Sequence, residues 1–409
     1  MPKAPWLHVA RTAAVLAAAM GIGRFVYTPI LPLMTAQAGL SSQSAGHLAT
    51  ANYIGYLVGA VAGAFSPRLS RSMSACRVSL IVLVVSLAAM PLTGNAFGWM
   101  ALRLAAGVAS ALVFVIAVNT VLDHLHGHPA HLPGWAFGGV GVGIALSAGL
   151  VFGLPARAGW QGAWWLAAGC TAALSVAAWF MRPATTPSEV KAHADQRKTT
   201  RRPFALLFGS YTLEGIGYII AGTFLVAAIA QNSPGRLGIG AWLVVGLAAI
   251  PSAALWARLS SRYSHPVLLT GALLLQAGGI GLACTGSGVA AVLGAVLFGG
   301  TFIGISTLAL AAGRQLQFPG AVALLTAGYS VGQIIGPVAV SPFVHNGFRI
   351  ALAVGALVVL LAAIAALAIR VVGGQPRSVL TDAEITDAAR ERLDNRAHGR
   401  TVLIATPDQ

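Results

Sequence analysis

Glu214 is the residue with the most to explain. It is one of ten acidic residues in a chain of 409, and only it and Asp123 lie outside the polar stretches 182–202 and 373–409. It falls 12 residues beyond Arg202 (214 − 202), which on a helix is roughly 18 Å into a hydrocarbon core of about 30 Å. A carboxylate at that depth is expensive and needs a cavity or a partner. A low-dielectric site disfavours the charged form, so such a group can load and release a proton as access alternates between two sides. The competing reading is a structural residue held by a hydrogen bond or an ion pair.

Arg24 poses the same question with the opposite sign. It lies 13 residues beyond Arg11 (24 − 11), roughly 20 Å along a helix. Either it faces the interior, electrostatically coupled to Glu214 until substrate or a proton breaks the coupling, or it snorkels outward to headgroups. Arg103, near the outer end of its apolar segment, reads equally as an interfacial anchor or as a second cavity cation. Two arginines facing one acid would make a positive cavity suited to an anionic or zwitterionic solute.

Ten polar-tipped residues interrupt otherwise apolar runs: Tyr27, Asn52, Tyr53, Tyr56, Asn119, Tyr211, Tyr218, Gln276, Tyr329 and Gln333. A hydrogen-bonding group at membrane depth needs a partner, so some line a pathway and others tie helices together. Tyr27, Tyr53 and Tyr329 are the first choices for the pathway, with Asn52, Tyr218 and Gln333 beside them.

Other chemistry is poorly represented. His124, His126, His128 and His131 give four histidines in eight residues, but their spacing in a loop with Gly127 and Pro129 reads as a solvated turn rather than a metal site. The three cysteines, Cys76, Cys170 and Cys284, lack metal-ligand spacing and make no disulfide framework. Gly139-x-Gly141 neither follows a strand nor precedes an acidic ribose ligand, so it is helix packing and not a dinucleotide fingerprint. No histidine lies mid-helix and no carboxylate pair exists, which argues against an intramembrane enzyme. Neither cofactor nor metal is expected.

The elements that must position these residues are membrane helices. Hydrophobic residues make up 57% of the chain and charged residues 9%, with a mean hydropathy of +0.79; a soluble domain carries roughly 25% charged residues. Runs long enough to span a bilayer occur at 8–36, 43–66, 74–94, 97–122, 133–155 and 160–181. They resume at 203–230, 238–259, 265–285, 288–313, 320–343 and 347–371. The N-terminal run is too long for a signal peptide and carries Arg24, so it reads as an uncleaved first helix.

The net charge of +15 sits in short clusters between these runs, which is a topology signal and not a nucleic-acid patch. With the N-terminus inside, the inner segments hold 20 of the 25 Lys and Arg residues, the outer ones 4 (Arg103, Arg157, Arg236, Arg349), and Arg24 lies within a helix. Both termini are therefore expected in the cytoplasm, in an inner (plasma) membrane. Residues 1–181 form a first six-helix bundle and 203–372 a second. Residues 182–202 read as a basic cytoplasmic linker against anionic headgroups, and 373–409 as a polar tail. The tail's Thr381-Asp382-Ala383-Glu384 resembles a capping box opening a short surface helix.

Glycine landmarks relate the two bundles. Gly21-Ile22-Gly23 matches Gly215-Ile216-Gly217 (215 − 21 = 194), Gly107 matches Gly300 (300 − 107 = 193), and Gly139/Gly143 match Gly332/Gly336 (332 − 139 = 193). A shared offset across three helix pairs marks a duplication, the way many transporters build a midplane site between two rocking halves. In this register Arg24 corresponds to Tyr218 and Glu214 to Met20.

The runs Gly21-Ile22-Gly23-Arg24-Phe25-Val26-Tyr27-Thr28-Pro29-Ile30-Leu31-Pro32-Leu33-Met34 and Ala51-Asn52-Tyr53-Ile54-Gly55-Tyr56-Leu57-Val58-Gly59-Ala60 resemble the YbfB/YjiJ family of the major facilitator superfamily. Residues 8–371 as a whole resemble that superfamily. The resemblance implies an all-α integral membrane protein with twelve transmembrane helices in two pseudo-symmetric six-helix bundles. It also implies that the first and seventh helices face each other across the cavity, and that one chain functions as a monomer.

The superfamily's loop motif is met by Gly63, Arg68 and Arg71, but Pro67 replaces its Asp, which puts a charge-pair latch in doubt. Arg103 and Gly107 fit its Arg-x-x-x-Gly motif. Gly332-x-x-x-Gly336-Pro337, in the eleventh helix, is similar to a pattern associated with antiporters in the fifth, which here lacks the Pro; the resemblance gives a hint towards export. The expected function is proton-coupled export of a small organic solute by alternating access, with the lipid bilayer, protons and that solute as partners and no nucleic acid. Proton-coupled uptake of an organic anion and a non-transporting membrane sensor are the alternatives.

Overall fold

A computed structural model describes residues 5–125, 127–129, 131–182, 197–232, 235–318, 320–344 and 347–372. The expected headgroup-bound linker lies mostly outside these residues, and the expected tail helix lies wholly outside them.

Among the described residues, twelve helices are long and apolar enough to cross a membrane. They are α1 Pro5–Gln37, α2 Ser42–Phe65, α3 Met73–Leu92, α4 Ala96–His124, α5 His131–Gly153 and α6 Gly159–Phe180, then α7 Arg201–Gln231, α8 Leu237–Leu259, α9 His265–Ala283, α10 Gly288–Gln315, α11 Ala321–Val344 and α12 Phe348–Arg370. No terminus moves more than three residues from its sequence-based position, because hydropathy alone dictates where the chain can leave the bilayer. Among the described residues there is no strand.

Burial sorts the helices into centre and rim. The most apolar windows of α1 and α7 are 94% and 83% buried, against 39% for those of α3, α6 and α12. The rim helices present Val78, Ile81 and Val85 or Leu357, Leu360 and Ile364 outward, as a hydrocarbon solvent requires. Central helices need every polar atom satisfied from within the protein.

Small residues let the central helices approach. A Cβ on Gly139 or Gly143 of α5 would run into the backbone of Ala13 or Ala17 in α1. One on Gly332 or Gly336 of α11 would meet the backbone of Thr212 or Ile216 in α7. The glycines keep their 193-residue offset (332 − 139), but their partners on α1 and α7 are 199 apart (212 − 13), so the second crossing is shifted along α7 by five residues from the 194-residue offset. At the α2–α4 crossing Gly107 lies on the Asn52 carbonyl, and at the α8–α10 crossing Gly299 lies on the Val245 carbonyl. Here one landmark moves: the tight glycine of α10 is Gly299 rather than Gly300. Gly300 has open space at its Cβ, and its carbonyl accepts hydrogen bonds from Ser252 and Trp256, both at 2.9 Å.

Helix α1 is not regular. A π-helical turn over Ala17–Ile22 is followed by a break before the α-helix resumes at Tyr27–Gln37. Pro29 has no N–H to offer Phe25 and its ring crowds that carbonyl. The Thr28 N–H bonds the Phe25 carbonyl at 3.2 Å, so the Arg24 carbonyl loses its helical donor. At the corresponding place in α7 stands Thr223 (29 + 194), and α7 continues unbroken. In the expected register, α1 is thus broken where α7 is regular.

Candidate functional site

The broken turn of α1 delivers Arg24 to the centre, 4% exposed. Its guanidinium lies over the rings of Tyr56 (4.1 Å), Tyr53 (5.2 Å) and Phe25 (5.4 Å). Its Nη2 donates to the side-chain oxygen of Gln333 in α11, while its Nε has no hydrogen-bond partner. Gln333 in turn donates to the Tyr218 hydroxyl of α7 at 3.4 Å. One amide thus bridges α1, α7 and α11. Tyr53 and Tyr56 sit three apart on α2, so they share a helix face; the sequence marked Tyr56 only as one of the polar-tipped residues, not among the choices for the pathway.

Glu214 is fully buried in α7, and neither carboxyl oxygen has a hydrogen-bond partner. Gln276 of α9, also fully buried, lies beside it, yet neither of its amide atoms makes a hydrogen bond of good geometry. Arg24 and Glu214 are therefore not direct partners in this conformation. Between them stands a stack of tyrosines. Tyr211 and Tyr329 stack at 4.5 Å and Tyr329 and Tyr218 at 5.4 Å, and Phe302 extends the stack beyond Tyr218 at 5.1 Å. All three tyrosines lie within electrostatic range of Glu214.

Arg103 is placed differently. Its Nη1 and Nη2 donate to the carbonyls of Gly23 (3.1 Å) and Arg24 (3.0 Å), and its charge lies over Tyr27 (5.5 Å) and Trp164 (5.8 Å). The guanidinium supplies the donors that the break in α1 withholds. Asn52 donates to the Arg103 carbonyl at 2.8 Å and Tyr27 to the Ala45 carbonyl at 3.0 Å. These three residues tie backbones rather than present free groups to a solute. The Tyr53 hydroxyl pairs with Thr223 of α7 at 2.9 Å, and Thr28 donates to the Gly222 carbonyl, a residue 194 positions away. That separation equals the offset between the glycine landmarks of α1 and α7. Sequence reasoning missed Thr28, Thr223 and Phe25, none of which is conspicuous in an apolar run.

The loop motif lies apart from the centre. Gly63 approaches Val115 of α4, Arg68 is exposed and Arg71 half-buried. Asn119 of α4 donates to the Ser70 carbonyl at 3.3 Å, holding the α2–α3 loop without the acid that Pro67 replaces. Pro337 lies within α11, one turn beyond Gln333. His124 stacks on His8 of α1 at 4.4 Å, whereas His126 lies outside the described residues. No group of three or more potential metal ligands is found among the described residues.

Two solved structures share this arrangement. Both are crystal structures of nucleoside transporter NupG. One matches with a TM-score of 0.66 at 12% identity, over 89% of this chain and 98% of that one. A point mutant matches at 0.65 and 13%, over 88% and 99%. At such identities the likeness is one of fold. No curated protein sequence gives a match. The family model MFS_4, described as uncharacterised MFS-type transporter YbfB, matches residues 16–367. A twelve-helix fold, a polar centre on α1, α7 and α11 and a family match over nearly all the apolar chain agree: this is a multi-pass membrane transporter belonging to the MFS_4 family.

Proposed function

We propose that the chain is a secondary active transporter that exports a small organic solute in exchange for protons, with Glu214 as the proton carrier. The observation that carries this reading is the isolation of Glu214. A fully buried carboxyl group without a hydrogen-bond partner is tolerated at membrane depth when it is neutral, and its charge state can then follow access to water. The unpartnered amide of Gln276 offers an acceptor to the protonated form and a donor to the charged one.

Packing between the two six-helix halves, taken as 1–181 and 203–372, supports alternating access. At the end where α1 finishes, its distal part packs on α7, and α2 packs on α11. At the opposite end α4 and α10 are not closely packed among the described residues. With the termini in the cytoplasm of an inner membrane, this conformation is closed outside at α1–α7 and α2–α11, while inside α4 and α10 stand apart and α5 stays packed on α8, Gly134 on Ala254 and Gly138 on Ile250. Gly332, Gly336 and Pro337, with their antiporter-like pattern, favour export. The positive centre at Arg24 favours a second reading, proton-coupled uptake of an organic anion.

The test is reconstitution of the whole chain in vesicles with a trapped pH-sensitive dye and a panel of organic solutes. Solute-dependent proton movement that Glu214→Gln abolishes supports coupling, and the sign of that movement separates exchange from co-transport. Solute flux that ignores an imposed pH gradient removes the proton from the mechanism.

A further inference from the structure

We infer that the solute is a flat organic monocarboxylate, held by Arg24 and stacked on the tyrosines, and that Gln333 occupies the place of its carboxylate in the solute-free protein. The inference rests on the transport reading above and names the substrate class of that same centre.

The argument starts from charge. Arg24 is buried at membrane depth and its polar partners are neutral, the Gln333 side-chain oxygen and the Tyr56 hydroxyl. A guanidinium is built for two parallel hydrogen bonds to a carboxylate, yet its Nε is unpartnered. The site is thus half filled by a weaker acceptor. Glu214 does not complete it, since its oxygens accept no hydrogen bond. An arriving carboxylate would take the Gln333 oxygen's place, fill the Nε direction, and release Gln333 towards Tyr218.

The count of available cations limits the ligand's charge. Arg103 gives its two terminal nitrogens to the Gly23 and Arg24 carbonyls and cannot leave them without unsatisfying the break in α1. One free guanidinium matches one carboxylate, not two.

Shape follows from the walls. Tyr218, Tyr329 and Tyr211 are stacked with interplanar angles of 13° and 16°, while Tyr53, Tyr56 and Phe25 turn their rings towards Arg24. Tyr329 is only half-buried, so the stack is open at one member. Parallel aromatic faces beside a cation suit a flat, apolar body carrying the acid group.

The test is equilibrium binding to the full-length protein in detergent, with 2-naphthoate, 2-naphthamide, acetate, naphthalene-2,6-dicarboxylate and adenosine as probes. 2-Naphthoate should bind at least about tenfold more tightly than each of the others. Arg24→Gln should weaken it roughly hundredfold, the scale of a charge-assisted bidentate contact. Two further variants guard against a merely structural Arg24. Gln333→Ala removes the stand-in and should tighten naphthoate binding, whereas Gln333→Glu fills the site with its own carboxylate and should abolish binding while raising the unfolding temperature. Equal affinity for the amide, tighter binding of acetate, of the dicarboxylate or of adenosine, or full affinity in Arg24→Gln or Gln333→Glu overturns the inference. Adenosine that binds and crosses reconstituted vesicles would leave the transport reading standing without this substrate class. Arg24-dependent naphthoate binding without flux would do the reverse.

Discussion

Arg24 and Gln333, 309 residues apart, are joined by a hydrogen bond in the buried centre. The consequence is electrostatic as much as geometric, because a neutral amide satisfies part of the cation's hydrogen-bonding capacity and none of its charge. The same amide reaches Tyr218, so α1, α7 and α11 are linked through one side chain whose partners change if an anion arrives. A tyrosine stack separates this triad from Glu214, which keeps the proposed anion and proton positions distinct within one polar core.

Glu214→Gln should uncouple solute movement from the pH gradient without harming the fold. Its carboxyl group accepts no hydrogen bond of good geometry, and Gln276 beside it can face an amide as well as a carboxyl group, so a neutral isostere keeps that neighbour and removes the cost of any charged state. Proton-driven solute accumulation in vesicles should fall to equal concentrations on both sides, and the pH dependence of exchange should flatten. Thermal unfolding in detergent should be unchanged or moved upward. A variant that still accumulates solute against its gradient would put the coupling site elsewhere.

Arg103→Gln should behave in the opposite way, damaging the fold first. Arg103 makes two charge-assisted bonds to the carbonyls of Gly23 and Arg24, each worth about 1.5–3 kcal/mol where measured. A glutamine cannot donate to both carbonyls in the same geometry. A loss of roughly 2–4 kcal/mol is expected, seen as a lower unfolding temperature and reduced yield, while the protein that does fold binds solute with near-normal affinity. Normal stability with lost binding would instead make Arg103 a ligand of the solute.

The fold was almost wholly legible in the sequence because hydrocarbon permits so little else. Twenty apolar residues with satisfied backbones must be a helix, and the boundaries followed. Glu214 and Arg24 stood out for a related reason, since charges at that depth are rare. Their partners were not legible. Gln333 stood among the pathway candidates, but that it meets Arg24 depends on long-range packing that no local pattern shows. The break in α1 at Pro29 was not among the expectations, and which residue would bind the carbonyl it frees depended on where α4 crosses. Gly300 misled by one position because a glycine count cannot say which of two neighbours faces the crossing helix.

That last distinction can be measured with alanine. Gly107 touches the Asn52 carbonyl so closely that an added Cβ must push α2 and α4 apart, while Gly300 has open space. Gly107→Ala should cost about 1–3 kcal/mol by overpacking, and Gly299→Ala should do likewise against Val245. Gly300→Ala should be neutral or stabilising by up to about 1 kcal/mol, the helix propensity gained on replacing glycine. The reading is thermal unfolding of the three variants side by side. Equal effects at 299 and 300 would mean that α10 is rotated from the position described.

Two adjacent hydrogen bonds hold the first half to α7: Thr28 to the Gly222 carbonyl and Tyr53 to the Thr223 hydroxyl. Both lie where the distal part of α1 packs on α7, the contact that must open if access alternates. Hydrogen bonds between membrane helices average about 0.6 kcal/mol, so removing both should shift the equilibrium by about 1.2 kcal/mol, or roughly eightfold, towards the open form. The double variant Thr28→Val/Tyr53→Phe changes neither Arg24 nor Glu214. A reporter is available at Ala49, buried one helical turn before Tyr53 on the same face. With Cys76, Cys170 and Cys284 replaced by serine, Ala49→Cys should react several-fold faster with a membrane-impermeant thiol reagent in the double variant than in its parent. Saturating solute should change both rates, because a bound solute redistributes the two states. If the labelling rate does not move, these bonds are not part of a seal, and α1 and α7 stay in contact throughout the cycle.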